Sequence, residues 1–154
     1  MTLDRSVIEE LIHESCTLLD ERDFSRFIDL CHPGFRYKLT TYSPEIGKEM
    51  TWLDRDRAEM ADFFDVLPKH NSDQSPLTRI ATVRKIAFSD SEEQAAVVSA
   101  LQVYKTALDG GATELLAVGK YYDTVSLSGD APTLLERTVR LDTRDLGWGY
   151  HVPF

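Results

Sequence analysis

Basic residues are the minority among the charges of this sequence. Its 154 residues contain 17 Lys and Arg against 26 Asp and Glu, which gives a formal net charge of −9. Proteins that bind nucleic acids need basic patches for the phosphates, so a nucleic-acid partner is not expected. The sequence also lacks an apolar run of the length of a membrane span or a signal peptide. We therefore expect a cytoplasmic protein without a membrane partner.

Cysteine and histidine are too few and too scattered to predict a metal site. Cys16 and Cys31 both fall in a stretch that is typical of helix, and we expect them to be reduced and at least half-buried. A mixed Cys/His iron–sulfur site needs two cysteines and two histidines in paired motifs, whereas Cys31–His32 stands alone. No two histidines are spaced like zinc ligands on a helix, and we expect no metal or cofactor on this chain. The histidines are His13, His32, His70 and His151.

The first half of the sequence has the periodicity of helices. Apolar residues recur at i, i+3, i+4 and i+7 over Arg5–Glu21, which predicts a long amphipathic helix. Asp23 is placed to cap a second, short helix that runs to Leu30 and that Pro33–Gly34 end. The elements that follow are a strand over Phe35–Thr41, a loop over Ser43–Thr51, a helix opened by Asp54 or Asp56 and stopped by Pro68, and a mobile loop over Lys69–Ser75.

The second half alternates with the period of two that is typical of strands. Short turns at Asp109–Gly111 and Ser128–Asp130 predict that its last three strands form an antiparallel meander. We predict one α+β domain over residues 1–154, in which the N-terminal helices pack on one side of a curved, mixed or antiparallel sheet to give a cone. The predicted strands are Arg79–Phe88, Glu93–Leu108, Thr113–Ser128 and Thr133–Thr143.

Both faces of the long strands are partly apolar. Val97 and Leu101 alternate with Val98 and Tyr104. A face that the helices do not cover needs another cover, so we expect a partner chain. The apolar tail Leu146–Phe154 is expected to dock on its own domain or on a neighbour. The next strand repeats the pattern, with Leu115, Ala117 and Tyr121 on one face and Leu116, Val118 and Tyr122 on the other.

Three motifs in the predicted strands resemble a known family. They are Pro76-x-Thr78-Arg79, Gly119-x-Tyr121-x-Asp123 and Glu136–Arg137, and their order and the chain length resemble the small (beta) subunit of Rieske non-heme iron ring-hydroxylating oxygenases. That resemblance implies the cone-shaped fold shared by nuclear transport factor 2 and SnoaL-like proteins. It covers nearly the whole chain.

The resemblance also implies a role without catalysis on this chain. Such a subunit supports a catalytic alpha subunit in an α3β3 hexamer, and the alpha subunit carries the Rieske [2Fe–2S] cluster and the mononuclear Fe(II) of a dioxygenase or monooxygenase. The substrate stays open between an aromatic compound and a non-aromatic one such as an alkanesulfonate. The expected contacts with alpha and other beta subunits are Tyr121, Arg137, Trp148, Tyr150 and Phe154.

The same fold also hosts enzymes, which leaves a second hypothesis. His13 on the first helix, with Tyr37 and Asp123 on strands, would then form the catalytic pocket of a free-standing SnoaL-like dehydratase, isomerase or cyclase. No spacing in the sequence ties any two of them together, and strand tyrosines are usually packing residues. A ligand-binding module without chemistry would use the same pocket.

Overall fold

The computed structural model describes residues 4–70, 74–144 and 153–154, with the backbone alone for 68–70. Three helices and six strands alternate unevenly along these ranges. The helices are α1 (Arg5–Asp20), α2 (Phe24–Asp29) and α3 (Arg57–His70). The strands are β1 (Cys31–Ser43), β2 (Lys48–Asp56), β3 (Leu77–Phe88), β4 (Gln94–Thr106), β5 (Thr113–Ser126) and β6 (Thr133–Leu141).

Aspartate caps begin all three helices. The side chain of Asp4 accepts a hydrogen bond from the Ser6 amide, and that of Asp23 accepts one from the Arg26 amide. At α3, the Glu59 amide donates to Asp56 at 2.8 Å while the Asp56 amide donates to Glu59 at 3.0 Å. These bonds satisfy amides that have no partner within the helix, and they fix where each helix starts.

The strands form one mixed sheet in the order β2-β1-β6-β5-β4-β3. β3 to β6 make the predicted antiparallel meander, and β1 then pairs in parallel with β6 and antiparallel with β2. Helix α1 contacts β3, while α2 and α3 contact β1, so the helices and one sheet face enclose the core. The predicted α+β architecture is confirmed.

An aromatic cluster joins the helical layer to the sheet. The rings of Phe24 and Phe64 stack at 4.3 Å, and Phe27 makes edge contacts with both Phe64 and Phe35. Phe27 and Phe35 are fully buried. Because aromatic pairs of this kind add to the free energy of simple burial, the cluster fixes the positions of α2 and α3 against β1.

The predicted end of the second helix is wrong. Helix α2 ends at Asp29, and Cys31, Pro33 and Gly34 belong to strand β1. Cys31 pairs with Leu134 of β6, and the Leu134 amide donates to the Leu30 carbonyl at 2.9 Å. Pro33 falls where the β1–β6 register shifts, a position that tolerates a residue without an amide hydrogen.

The segment before α3 is also more ordered than its pattern predicts. The predicted loop over Ser43–Thr51 is the hairpin between β1 and β2, with Gly47 at φ 64° in its turn. Of the two predicted helix openers, Asp56 caps α3, whereas Asp54 lies in β2 and pairs with Arg36 at 2.7 Å. The strand continues past Thr51 because it pairs with β1 along its length.

Helix α3 does not stop at Pro68. Its backbone is helical to His70, and a proline so close to the end removes only one hydrogen bond of the last turn. The predicted mobile loop over Lys69–Ser75 therefore starts inside the helix, and its residues 71–73 lie outside the described ranges. Arg22 donates to the side chain and carbonyl of Gln74 at 2.8 and 3.0 Å, which ties down the far end of this segment.

One predicted face of β5 is corrected by a bulge. Ala117 and Tyr121 are buried as expected, but Leu115 is 53% exposed. The register of β4 and β5 shifts between Val103 and Tyr104, so Ala117 pairs with Val103 and Leu115 with Tyr104. The extra residue in β5 reverses the side on which Leu115 lies.

Candidate functional site

A buried ion pair occupies the middle of the sheet face that the helices cover. Asp123 of β5 and Arg137 of β6 are register partners, and both side chains are 0% exposed. Nε and Nη2 of Arg137 donate to the two carboxylate oxygens of Asp123 at 2.8 and 3.1 Å. Nη2 also donates to Ser15 Oγ of α1 at 3.0 Å, and Ser15 in turn donates to the Ile12 carbonyl. The ion pair thus links the helical layer to the sheet.

Two buried tyrosines hold the backbone of Phe154. The Tyr121 hydroxyl donates to the Phe154 carbonyl oxygen at 3.0 Å, and the Phe154 amide donates to the Tyr37 hydroxyl oxygen at 2.9 Å. The Arg137 guanidinium lies 3.9 Å from the centre of the Tyr121 ring, which is a cation–π geometry. The Phe154 side chain is part of the hydrophobic core and only 1% exposed.

A second arginine holds the preceding residue. Nη2 of Arg79 donates to the Pro153 carbonyl at 2.8 Å, and its Nη1 donates to Asp20 of α1 at the same distance. The Arg79 amide also donates to the Asp20 carboxylate. Pro153 and Phe154 are therefore bound by side chains from three strands, β3, β1 and β5, and they fill part of the interior of the cone.

Burial fixes the protonation of these groups. It raises the pKa of Tyr37 and Tyr121 well above the usual value, so both hydroxyls are neutral at physiological pH. Burial by itself would lower the pKa of Arg137, but the Asp123 carboxylate outweighs it and the pKa is raised. An acid–base catalyst needs a pKa near the working pH, and the shifts of Tyr37, Tyr121 and Arg137 are away from it. Burial raises the pKa of Asp123, but its two carboxylate oxygens are both bonded to Arg137.

The structure does not bring the three predicted catalytic residues together. His13 is exposed on α1 and lines a surface depression with Glu10, Thr17 and Pro132. Tyr37 and Asp123 lie inside, but their polar atoms are bonded to Phe154 and Arg137. The helical face that carries His13 is simply not the face that meets the sheet.

Three of the five predicted interface residues are buried within this chain. Tyr121 and Arg137 are 0% exposed and Phe154 is 1% exposed, so none of them is on a surface. Trp148 and Tyr150 lie outside the described residues. The alternation of β5 and β6 places Tyr121, Asp123 and Arg137 on the core side of the sheet. Each strand therefore has one charged residue at a core-facing position, and this pattern in the sequence could have predicted a buried ion pair. The end of the tail docks on its own domain.

The other face of the sheet carries exposed apolar side chains. Tyr122 and Val118 of β5 are 39% and 36% exposed, and Ile80 of β3 is 46% exposed. Tyr122 pairs with Val98, and Ile80 pairs with Gln102, which in turn pairs with Val118. We call the set of Ile80, Val98, Val118 and Tyr122 the outer-face patch. Gln102 and Lys120 lie between these apolar side chains, and a mixture of exposed apolar and polar groups on one face is typical of protein interfaces.

The β1–β2 hairpin is a second exposed apolar surface. Tyr42 of β1, Ile46 of the turn, and Met50 and Trp52 of β2 are all exposed. Tyrosine, tryptophan and methionine are enriched where proteins bind one another. Among the described residues, no group of three or more His, Cys, Asp or Glu side chains is arranged to hold a metal ion, and no helix has the length and apolarity to cross a membrane.

Comparisons with known proteins identify the family to which the sequence is similar. The model of the family "ring hydroxylating beta subunit" matches residues 14–147. The chain is 35% identical over 153 residues to the methanesulfonate monooxygenase hydroxylase subunit beta of Methylosulfonomonas methylovora, covering 95% of this chain and 84% of that protein. It is 32% identical over 152 residues to the 2-aminobenzenesulfonate 2,3-dioxygenase subunit beta of Alcaligenes sp., covering 98% and 99%.

A solved structure shows the same fold. A chain assigned as the beta subunit of an aromatic-ring-hydroxylating dioxygenase from Novosphingobium aromaticivorans superposes with a TM-score of 0.75 at 22% identity, covering 92% of this chain and 90% of that chain. The family model and the two relatives extend over most of the sequence. The chain therefore belongs to the family of ring-hydroxylating beta subunits.

Proposed function

We propose that this chain is a non-catalytic subunit of a Rieske-type oxygenase and that it supports the assembly of a catalytic alpha subunit. The observation that carries the proposal is the use of the cone interior. In an enzyme with this fold, that interior would receive the substrate, but here Tyr37, Tyr121 and Arg79 are bonded to Pro153 and Phe154 of the chain itself. The family and the relatives support the same role.

The Rieske [2Fe–2S] cluster and the mononuclear Fe(II) belong, in this proposal, to the alpha subunit. The chemistry of the two thiols supports this placement. Cys31 donates to the Phe27 carbonyl, and burial raises its pKa to about 12, so it is a poor source of the thiolate that a cluster needs. Cys16 lies on α1 beside the Tyr121 hydroxyl, and burial raises its pKa as well. Both thiols are free, as is usual in a reducing cytoplasm, where we place the complex.

The outer-face patch and the β1–β2 hairpin replace the buried residues as the proposed contacts in an α3β3 hexamer. Val118 and Tyr122 lie near the middle of the sheet, whereas Met50 and Trp52 lie at its β2 edge. The two surfaces are therefore on different parts of the domain, and they can contact different neighbours. One would serve beta–beta contacts and the other beta–alpha contacts.

We further propose that the oxygenase acts on a sulfonated substrate. Both curated relatives are subunits of enzymes named for sulfonates, one aliphatic and one aromatic. The site that recognises the sulfonate would lie on the alpha subunit. Turnover of methanesulfonate and 2-aminobenzenesulfonate by the purified complex is the direct test of this point.

The test of the role is native mass spectrometry, with iron analysis, of the untagged complex from its own cells. We expect a hexamer with equal numbers of this chain and a larger, iron-bearing partner. Val118→Asp places a charge in the outer-face patch and should reduce the assembly to smaller species, while iron stays with the partner. Val66→Asp, at an exposed valine of α3, is the matched control and should leave the hexamer intact.

Two results would contradict the proposal. A metal-free species that contains this chain alone would remove the oxygenase role. A Val118→Asp variant that assembles normally, with the circular dichroism of the parent, would remove the outer-face patch from the interface.

A further inference from the structure

We propose that the interior of the cone is a binding site for an aromatic ring carried on an amide backbone, and that Pro153–Phe154 is the occupant that the chain supplies to itself. The site would accept a small aromatic compound wherever the Phe154 ring is missing. This inference concerns this chain alone and does not depend on an alpha subunit.

The backbone of the occupant is recognised on both of its hydrogen-bonding sides. Tyr37 accepts from the Phe154 amide at 2.9 Å, and Tyr121 donates to the Phe154 carbonyl at 3.0 Å. Arg79 donates to the Pro153 carbonyl at 2.8 Å. Arg79 and Tyr37 thus bond the carbonyl and the N–H of the same Pro153–Phe154 amide, and each satisfies a group that burial would otherwise leave unpaired.

Two of the three recognising side chains, Arg79 and Tyr121, are positioned by contacts that do not involve the occupant. The guanidinium and the backbone amide of Arg79 both donate to the Asp20 carboxylate. Arg137 lies over the Tyr121 ring and is itself fixed by both oxygens of Asp123. The site is thus built by α1, β1, β3, β5 and β6, and Arg79 and Tyr121 are preorganised for what it binds.

The same residues keep polar capacity that Pro153–Phe154 does not use. Nε of Arg79 and Nη1 of Arg137 are buried, and neither has a hydrogen-bond partner among the described residues. Ser99 of β4 pairs with Tyr121 in the sheet, and its Oγ is also buried without a hydrogen-bond partner among the described residues. Of these three residues, Arg79 is the one that contacts the occupant directly, so its free Nε is the donor placed to meet a further acceptor there. The ligand class is therefore an aromatic ring with an amide or a similar acceptor group.

The ring position is tested in the full-length chain by Phe154→Ala with toluene as the probe. Removing a buried phenyl group leaves an apolar cavity, and such cavities stay dry and bind benzene-sized molecules. We expect the variant to lose roughly 6–20 °C in Tm, and millimolar toluene to restore at least about 3 °C of this loss. The parent chain, whose ring position is filled, should shift by less than about 1 °C.

The control for this experiment is Leu108→Ala, which removes an exposed apolar side chain outside both proposed contact surfaces and opens no cavity. Toluene should leave its Tm unchanged. Equal shifts in the parent and in Phe154→Ala, or no shift in either, would overturn the inference. If Phe154→Ala is unfolded by itself, refolding in the presence of toluene supports the site, and failure to refold there counts against it.

The amide position is tested by hydrogen–deuterium exchange in a variant that keeps the ring. Tyr37→Phe removes the acceptor of the Phe154 amide and should speed exchange at that amide by at least about tenfold. Tyr42→Phe, on the same strand but with an exposed side chain, should leave the rate as it is. Unchanged exchange in Tyr37→Phe would show that the tyrosine does not hold the occupant.

Discussion

The buried pair of Arg137 and Asp123 offers the sharpest test of what stabilises this fold. Arg137→Met leaves the Asp123 carboxylate inside the core without a cation, and both side chains are fully buried in the parent. Removing one partner of such a pair costs about 3–5 kcal/mol, because the remaining charge is uncompensated. For a chain of this size, the loss corresponds to a fall in Tm of roughly 6–20 °C.

The double variant separates the charge from the packing. In Arg137→Met/Asp123→Leu both charges are gone and the volume is nearly kept, and such exchanges are often neutral. Ser15 still donates to the Ile12 carbonyl at 2.6 Å, so its hydroxyl proton keeps an acceptor. We expect the double variant to recover most of the lost stability, which makes the coupling energy at least about 2 kcal/mol.

Urea unfolding followed by circular dichroism measures the free energies of unfolding of the parent, of the single variants Arg137→Met and Asp123→Leu, and of the double variant. Arg36→Met, which breaks the surface pair with Asp54 at 2.7 Å, is the control and should change little, because both side chains are largely solvated. The reasoning fails if Arg137→Met costs less than about 1 kcal/mol, or if the two single losses add up in the double variant.

Three further predictions concern close contacts and buried acids. A Cβ at Gly119 would clash with the Arg140 carbonyl oxygen, so Gly119→Ala should cost about 1–3 kcal/mol in urea unfolding. Gly129→Ala, with its nearest atom at 3.7 Å, should cost much less, and equal losses would contradict this reading. Burial raises the pKa of Tyr37 and Tyr121, so their neutral forms stabilise the fold below about pH 10, and this stability is lost as the pH rises further. The tyrosinate absorbance of these two residues should therefore appear only when the chain unfolds. Their titration in a chain that keeps its native circular dichroism would refute this prediction. The two buried thiols should resist Ellman's reagent at pH 8 and react fully in urea, and fast labelling of the native chain would show that they are accessible.

The elements of the fold could be predicted from the sequence wherever local patterns agree with the tertiary structure. The meander of β4, β5 and β6 follows from alternation and turn residues, and its bounds differ from the prediction by at most two residues. The beginning of β1 could not be predicted in this way. Cys31 is a strand residue only because Leu134, far along the chain, pairs with it, and no local pattern encodes that contact.

The site shows the same limit in another form. The sequence places Tyr121, Asp123 and Arg137 on core-facing positions, and a family resemblance marks them as important, but neither indicates that they contact each other and the end of the same chain. The distance between Tyr37 and Phe154 in sequence is 117 positions, yet the two form a hydrogen bond. Contacts of this range are decided by the packing of all layers together.

The parallel pairing of β1 with β6 also bears on how the chain is made. Thr41 of β1 donates to the Leu141 carbonyl, a residue 100 positions later. A ribosome that adds 5–20 residues per second needs about 5–20 s to cover that interval, and during this time β1 and β2 have left the tunnel without their central neighbour. The backbone edge of β1 that pairs with β6 is then open to other nascent chains, although α2 and α3 can already cover the apolar face with Phe35 and Leu39. Sheet closure must wait for the last strand, so a chaperone that protects the unpaired edge of β1 would act during those seconds.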